Sequence, residues 1–496
     1  MRGILRYAVA ALFCAACWCL SAQPPLPNNT GPASQFLSAP CAFEVPAGAR
    51  VQCGWLTVPE DRRRAGGRTV RLHVATYKSR AHPLPDPILW LVGGPGGRAN
   101  LFASKLFDRV VQRYIAKRDF IVMDIRGSGY SQPALDCPNP SGPATQWVPA
   151  CRERLASIAN LDSYNSAAVA ADLDDLRRAL GVREWNLLGE SYGTRYALTA
   201  LRDYPQGIRS VILDSVVPPE ADEFADGPAK FESAMDALFS DCAADPACKA
   251  AYPALRTTLL NAADRLDRQP RRLAGIWHST PFEVRFDGRQ FIEALHMALY
   301  ESDVIPQIPW AIYHAADGGS DSMWREVIGR HAIFVAGKLV DLGAEFSFHC
   351  AEEIPFTDVA RLKLEDERRP WMRHAASAIQ LVETCRLWNV KRAGNREAEP
   401  VSSGIPALLL AGAYDPVTPP AYARSAGSHL PNSHLFVFSA MGHQLTANTV
   451  STCPQTVVLQ FLDHPKQRPD PVCLVERRAR WKLNYLRRRP SSATPT

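Results

Sequence analysis

The chain of 496 residues is 46 % hydrophobic and 21 % charged, proportions that exclude disordered, collagen-like and coiled-coil classes. It is too long for one compact core, so one large domain with a sizeable insertion, or two domains, is expected. With 56 Lys plus Arg against 50 Asp plus Glu, the net charge of +6 is too dilute to indicate a nucleic-acid partner. Much of the excess sits in Arg477, Arg478, Arg480, Lys482, Arg487, Arg488 and Arg489, so residues 477–496 read as a basic tail with a solvated face.

At the N-terminus, Arg2 and Arg6 precede an apolar run over residues 7–20, followed by Ser21 and Ala22 and then Gln23, Pro24 and Pro25. A charged start, a short apolar stretch and small residues at its end read as a secretory signal peptide, residues 1–22, and a secreted or periplasmic product. The run is too short to favour a permanent span, and no stable membrane span is expected after cleavage. A lipoprotein signal is the competitor, because Cys14, Cys17 and Cys19 lie here, but none follows the usual run of Leu and two small residues. Those three account for part of the 13 cysteines. The remaining ten fall into neighbouring couples: Cys41 and Cys53, Cys137 and Cys151, Cys242 and Cys248, Cys350 and Cys385, Cys453 and Cys473. Short local loops lose least entropy on closing, so neighbours are expected to form five disulfides in an oxidising compartment. No Cys-x-x-Cys survives removal of the signal and no His-Glu-x-x-His occurs, so no metal or other cofactor is expected.

Residues 51–77 alternate apolar and polar around turn signals at 62–67, as an antiparallel hairpin would. Four short apolar runs follow, at 87–92 (PILWLV), 119–123 (DFIVM), 185–188 (WNLL) and 210–213 (SVIL). Bounded by Gly, Pro or Asp, they read as buried parallel strands. Residues 166–180 carry helical periodicity between two of them, so an α/β sheet with helices on both faces is expected. From 218 to 400 the strand signal gives way to a mainly helical pattern, and it resumes at 405–410 (IPALLL) and 434–438 (HLFVF). The expected plan is a first core segment at 23–217, a helical cap inserted at 218–400, and a second core segment at 401–476.

Directly after the third buried strand stands Gly189-Glu190-Ser191-Tyr192-Gly193, with a helical stretch behind it. A strand, Gly-x-Ser-x-Gly and a helix make a nucleophile elbow, whose tight turn lifts the Ser191 hydroxyl above the sheet edge. A serine hydroxyl needs a base and an orienting carboxylate. Asp415 follows the strand ending at Leu410, and His443 follows the next one, giving the chain order Ser, Asp, His. Asp214, just past the strand after the elbow, is the alternative acid. The glycine run at 93–97 offers the oxyanion donor of an earlier strand: the backbone amides of Tyr192 and Gly94 are the expected pair, with Gly93 the alternative. The same run fits a dinucleotide-binding Gly-x-Gly-x-x-Ala with Asp124 to meet a ribose. Pro95 inside the turn, export, and an elbow left unexplained argue against that.

The glycine run, the segment 124–131 (DIRGSGYS), the elbow, Asp415 in the run DPVTP, and Gly442 with His443 together resemble the proline iminopeptidase and tripeptidyl aminopeptidase family of α/β-hydrolases. The C-terminal part is similar to the tripeptidyl-aminopeptidase type. Val92 stands where iminopeptidases usually carry His, which favours the tripeptidyl branch. The resemblance implies an α/β-hydrolase fold, an exported serine peptidase acting near free N-termini, and a buttressing role for Asp124 and Arg126. An exopeptidase must also neutralise a substrate ammonium, and Glu190, Glu352 and Glu353 are the candidate carboxylates. The expected partner is a peptide, or a small molecule if the chain is an esterase of the same fold. A silent, purely binding hydrolase is disfavoured by the intact Ser, Asp and His.

Overall fold

The computed structural model describes residues 34–137, 143–277, 280–337, 339–448, 450–474 and 479–483. The expected signal peptide and most of the basic tail, including Arg477, Arg478, Arg487, Arg488 and Arg489, lie outside the described residues.

The described residues form eleven strands, in chain order β1 (Gln35–Ala39), β2 (Val51–Pro59), β3 (Thr69–Tyr77), β4 (Ile88–Leu91), β5 (Phe120–Met123), β6 (Trp185–Glu190), β7 (Ile208–Asp214), β8 (Arg271–Trp277), β9 (Thr280–Phe286), β10 (Ala407–Gly412) and β11 (Ser433–Phe438). Nine of them form one sheet, ordered β1-β2-β3-β5-β4-β6-β7-β10-β11. From β5 to β11 every pairing is parallel, and β1, β2 and β3 extend the β5 edge antiparallel. Every residue of β4, β5, β6 and β10 is buried, which is why these strands read as continuous apolar runs: both faces are covered. Helices Ser166–Ala179 and Tyr192–Asp203 pack on one face around Leu173, Leu187 and Leu198. Helices Ala99–Lys105 and Cys453–Asp463 cover the other around Trp90, Val122 and Phe461. The Asn165 side chain caps the helix Ser166–Ala179 by accepting from Ala168 N at 3.0 Å. Strand β1 was not expected; it is five residues long, mostly exposed and held by β2, so it lacks the alternation that marks a strand facing a core.

The segment between β7 and β10 is mainly helical, and its first half builds a second core around Phe291, Leu295 and Trp324. It also holds a hairpin, since β8 and β9 pair antiparallel as a separate two-stranded sheet. Phe282, Val284 and Phe286 alternate with exposed Glu283 and Arg285, a period-two signal hidden among longer helical patterns. Past residue 340 the chain comes back to the sheet: Phe348 in helix Leu342–Glu352 and Trp388 in helix Ile379–Trp388 belong to the sheet's core, and Trp388 Nε1 donates to Ser347 Oγ at 3.1 Å.

Each of the ten described cysteines is bonded to its sequence neighbour: Cys41 to Cys53, Cys137 to Cys151, Cys242 to Cys248, Cys350 to Cys385, and Cys453 to Cys473. Among the described residues no helix is long and apolar enough to cross a membrane.

Candidate active site

Ser191 stands between the end of β6 and the start of helix Tyr192–Asp203, in the left-handed region at φ 55°. A non-glycine residue held there by its surroundings is a strained, over-determined position of the kind found at nucleophiles. The glycines on either side are required by space: a Cβ on Gly193 would lie 1.9 Å from the Leu91 carbonyl oxygen, and one on Gly189 2.7 Å from that of Gly193. The turn is pinned by Ser191 N donating to Asp214 O at 2.9 Å and by the Thr194 amide and hydroxyl donating to Ser191 O at 2.9 and 2.6 Å. The glycine loop after β4 leans directly on this turn. A Cβ on Gly93 would lie 2.6 Å from Ser191 Cβ and 2.9 Å from the Tyr192 nitrogen, whereas one on Gly94 would meet the Gly96 and Gly97 amides. Gly93 is thus the glycine in contact with Ser191.

Asp415 and His443, the expected acid and base, lie just past the ends of β10 and β11. Asp415 is buried and accepts from Val417 N and Thr418 N at 2.8 Å each, from Thr418 Oγ1 at 2.6 Å, and from His443 Nδ1 at 2.7 Å. Burial alone would raise its pKa; the neighbouring His443, and the bonds from His443 and Thr418, outweigh that and hold it at about 2. With Nδ1 turned to Asp415, Nε2 is the ring nitrogen left to meet other groups. The His443 loop is tightly specified. A Cβ on Gly442 would lie 1.8 Å from Leu299 O, and Gly442 N donates to Ser302 Oγ at 3.1 Å. The Tyr300 ring sits 4.8 Å from the imidazole.

Asp214 does not approach the imidazole. Its carboxyl faces Leu445 and Thr446, accepting from both amides at 3.1 and 2.7 Å and from Thr446 Oγ1 at 2.6 Å. Glu190 lies beside it and also contacts Thr446 Oγ1. Both carboxyls are buried, and burial raises both pKa values, that of Glu190 further through the Asp214 charge. Glu352 accepts from Ser166 N at 3.0 Å, from the Ser166 hydroxyl, and from Tyr192 Oη at 3.0 Å. Glu353 meets Tyr192 Oη at 2.9 Å and Arg195 Nη1 at 3.0 Å. All three candidate amine carboxylates are therefore engaged inside the protein, and none lines the cavity next to the site.

Arg126 is fully buried and forks onto Asp172 at 2.8 Å through both Nε and Nη2, while Nη1 donates to Glu60 O and Ser163 O. Asp124 accepts from Asn100 N and Tyr130 N at 3.0 Å each. Neither reaches Ser191. They hold the loop after β5, which Asp341 joins to the glycine loop by accepting from Gly129 N at 2.7 Å and from Arg98 Nη2 at 2.6 Å.

A cavity of about 820 Å³ opens beside Pro416, Val417 and Tyr300 and runs between Phe224, Phe231 and Trp371. Its charged lining includes Glu223 and the buried Lys230. Burial lowers the Lys230 pKa against the opposing pull of Glu223 and Asp226. Glu223 Oε2 is buried without a hydrogen-bond partner among the described residues. The sequence reading missed both residues: Glu223 lies in the irregular stretch after β7, where no periodicity marks a face, and Lys230 in the first turn of the helix Gly227–Ala244. A second, polar groove of about 850 Å³ lies across Tyr300 and reaches His443, Gln444, Arg109, Arg113 and Arg330.

The sequence profile of the alpha/beta hydrolase fold matches residues 86–445, and the chain belongs to that family. It is 25 % identical over 421 residues to the serine protease Hip1 of Mycobacterium tuberculosis H37Rv, a match that covers 76 % of this chain and 78 % of that one. A stretch of 209 residues is 30 % identical to the tripeptidyl aminopeptidase of Streptomyces lividans, covering 37 % of this chain and 38 % of the relative. Another, of 223 residues, is 28 % identical to carboxylesterase B of Mycobacterium tuberculosis H37Rv, covering 40 % and 42 %. The crystal structure of proline iminopeptidase from Mycobacterium smegmatis aligns with 84 % of this chain and 99 % of its own at 16 % identity and a TM-score of 0.40. The chain is an enzyme of the serine hydrolase class.

Proposed function

We propose that this protein is an exported serine peptidase that hydrolyses amide bonds near free peptide N-termini, with Ser191 as nucleophile, His443 as general base and Asp415 as its orienting acid. The observation that carries the reading is the 2.7 Å bond from His443 Nδ1 to Asp415 Oδ2, formed at the ends of neighbouring strands β10 and β11 in a chain whose elbow holds Ser191 at φ 55°. The Ser191 hydroxyl proton passes to His443 Nε2 as Oγ bonds to the carbonyl carbon. The oxyanion is held by the Tyr192 amide and by an amide of the glycine loop, Gly94 or the adjoining Gly93. His443 then gives its proton to the leaving amine, the C–N bond breaks, and water deprotonated by His443 hydrolyses the acyl-enzyme. The part of residues 218–400 built on the second core serves as a cap whose apolar cavity receives the acyl side. The polar groove across Tyr300 suits the departing chain. Export is supported by the five disulfides and the leader-like residues 1–22.

The peptidase preference is supported by the similarity to a serine protease and a tripeptidyl aminopeptidase. An esterase of the same fold is the second reading, favoured by the likeness to carboxylesterase B. Turnover of matched fluorogenic aminoacyl and tripeptidyl amides, with free and acetylated N-termini, separates the two. Cleavage of the free forms alone establishes the aminopeptidase. Indifference to acetylation, or hydrolysis of simple esters only, establishes the esterase.

A further inference from the structure

Next to the elbow, the two strand ends β6 and β7 deliver Glu190 and Asp214 to a single hydroxyl, that of Thr446, three residues past His443. A threonine hydroxyl has one proton, so it cannot donate to two carboxylates at once. The count of donors decides which acid is charged. Asp214 receives the amides of Leu445 and Thr446, the Ser215 hydroxyl at 3.1 Å and the Thr446 hydroxyl at 2.6 Å. Glu190 has the Thr446 hydroxyl and the Trp90 indole, which favours its charged form but makes no hydrogen bond of normal geometry. The chain closes in one direction: Glu190 carries the proton and donates to Thr446 Oγ1, which donates to the Asp214 carboxylate. Gln444 joins the same acid indirectly, because its amide donates to Ser215 Oγ at 2.9 Å. Residues 444 to 446, directly after His443, are thus all moored to Asp214, while Asp214 O holds the Ser191 amide.

We propose that Glu190, in its protonated form, is a positioning residue: it completes a hydrogen-bond chain through Thr446 to Asp214 that locks the loop carrying His443 onto the turn carrying Ser191. The inference rests on the reading of Ser191 and His443 as nucleophile and base. Loss of the Glu190 proton to bulk water leaves two adjacent buried carboxylates and one donor between them, so the loop shifts and the imidazole leaves its working position. Burial and the Asp214 charge place that loss above the ordinary carboxylate range. The other titratable and charged groups facing the pair are Tyr114, whose buried hydroxyl both carboxyls and burial hold neutral, and Arg113 beside it.

The test is the pH profile of kcat for p-nitrophenyl acetate, an ester without an ionisable group, from about pH 6 to about pH 9.5, with Ser191→Ala as background. The wild type is expected to lose kcat on the alkaline side. Glu190→Ala is expected to lower kcat about tenfold or more at neutral pH with little change in KM. Glu190→Gln, whose amide can donate to Thr446 permanently, is expected to restore most of that loss and to keep its activity where the wild type fails. A Glu190→Gln profile with the wild-type alkaline fall, or a Glu190→Ala enzyme equal to the wild type throughout, overturns the proposal. Should the Glu190 variants fold poorly, Thr446→Val supplies the second measurement. It should lower kcat with KM kept, and Thr446→Ser, which keeps the hydroxyl, should restore most of the loss; a Thr446→Val enzyme equal to the wild type overturns the chain. Activity surviving in Ser191→Ala would instead sink the nucleophile assignment, an outcome distinct from either.

Discussion

Strands β7 and β10 are hydrogen-bonded neighbours, with Leu410 opposite Asp214, and each leads to a buried aspartate that serves the His443 loop, yet the two acids are held in opposite ways. Asp415 meets donors only, among them the imidazole itself, and its pKa falls to about 2. Asp214 shares its pocket with a second carboxyl, and its pKa rises. Burial pushes both upward; what differs is that the His443 imidazole outweighs it at Asp415, whereas the neutral donors around Asp214 do not. One side of the loop is built to keep a permanent charge that fixes the histidine's tautomer. The other stores a proton and works as a mooring.

The contrast can be broken most severely at the nucleophile. Ser191→Ala should lower kcat by about 10⁶-fold if serine, histidine and aspartate act as one unit, read from initial rates on the best amide substrate. Asp415→Asn keeps the shape but removes the charge that selects the Nδ1–H tautomer, and should cost about 10⁴-fold in kcat. The acid limb of stability gives the next effect. The Asp415 carboxyl sits below its usual 3.8, so its contribution of about 2 kcal/mol is present above that value and lost as pH falls through about 2. Melting temperatures measured across the acid range should drop more steeply for the wild type than for Asp415→Asn. Asp214→Asn should be milder, about tenfold in kcat at neutral pH, because an amide can still accept from Leu445 and Thr446. A larger loss for Asp214→Asn than for Asp415→Asn would reverse the assignment of the orienting acid.

The parts of this site that the sequence made readable are those where backbone geometry restricts residue type. Gly189, Gly193 and Gly442 stand where a Cβ would meet a carbonyl oxygen, so the elbow and the histidine turn announce themselves. Strands β4, β5, β6 and β10 are buried on both faces and stood out for the same kind of reason. The placement of Glu190 was harder. Glu190 is the last residue of β6 and is buried against Thr446, a contact with a residue more than two hundred positions along the chain that no local pattern shows. Glu352 and Glu353 are placed by another cause: their helix returns to the sheet, and Tyr192, Ser166 and Arg195 bond to them. Glu223 carries no local pattern, and only the folded arrangement around the cavity distinguishes it from other acids after β7.

Because β7 and β10 are partners in the sheet, everything between them can be viewed as one long excursion from a single seam. The sheet keeps its register whether that excursion is large or small, so pocket shape can diversify while the reacting groups stay put. The freedom is uneven. Asp341 clasps Arg98 and Gly129, and Phe348 and Trp388 are bricks of the sheet's own core, so, apart from the cavity-lining turn around Trp371 that stays with the second core, the stretch after residue 339 is built into the foundation. The helices and hairpin before it have their own core and form the exchangeable storey, where a graft from a relative would carry a new specificity onto an unchanged catalytic floor.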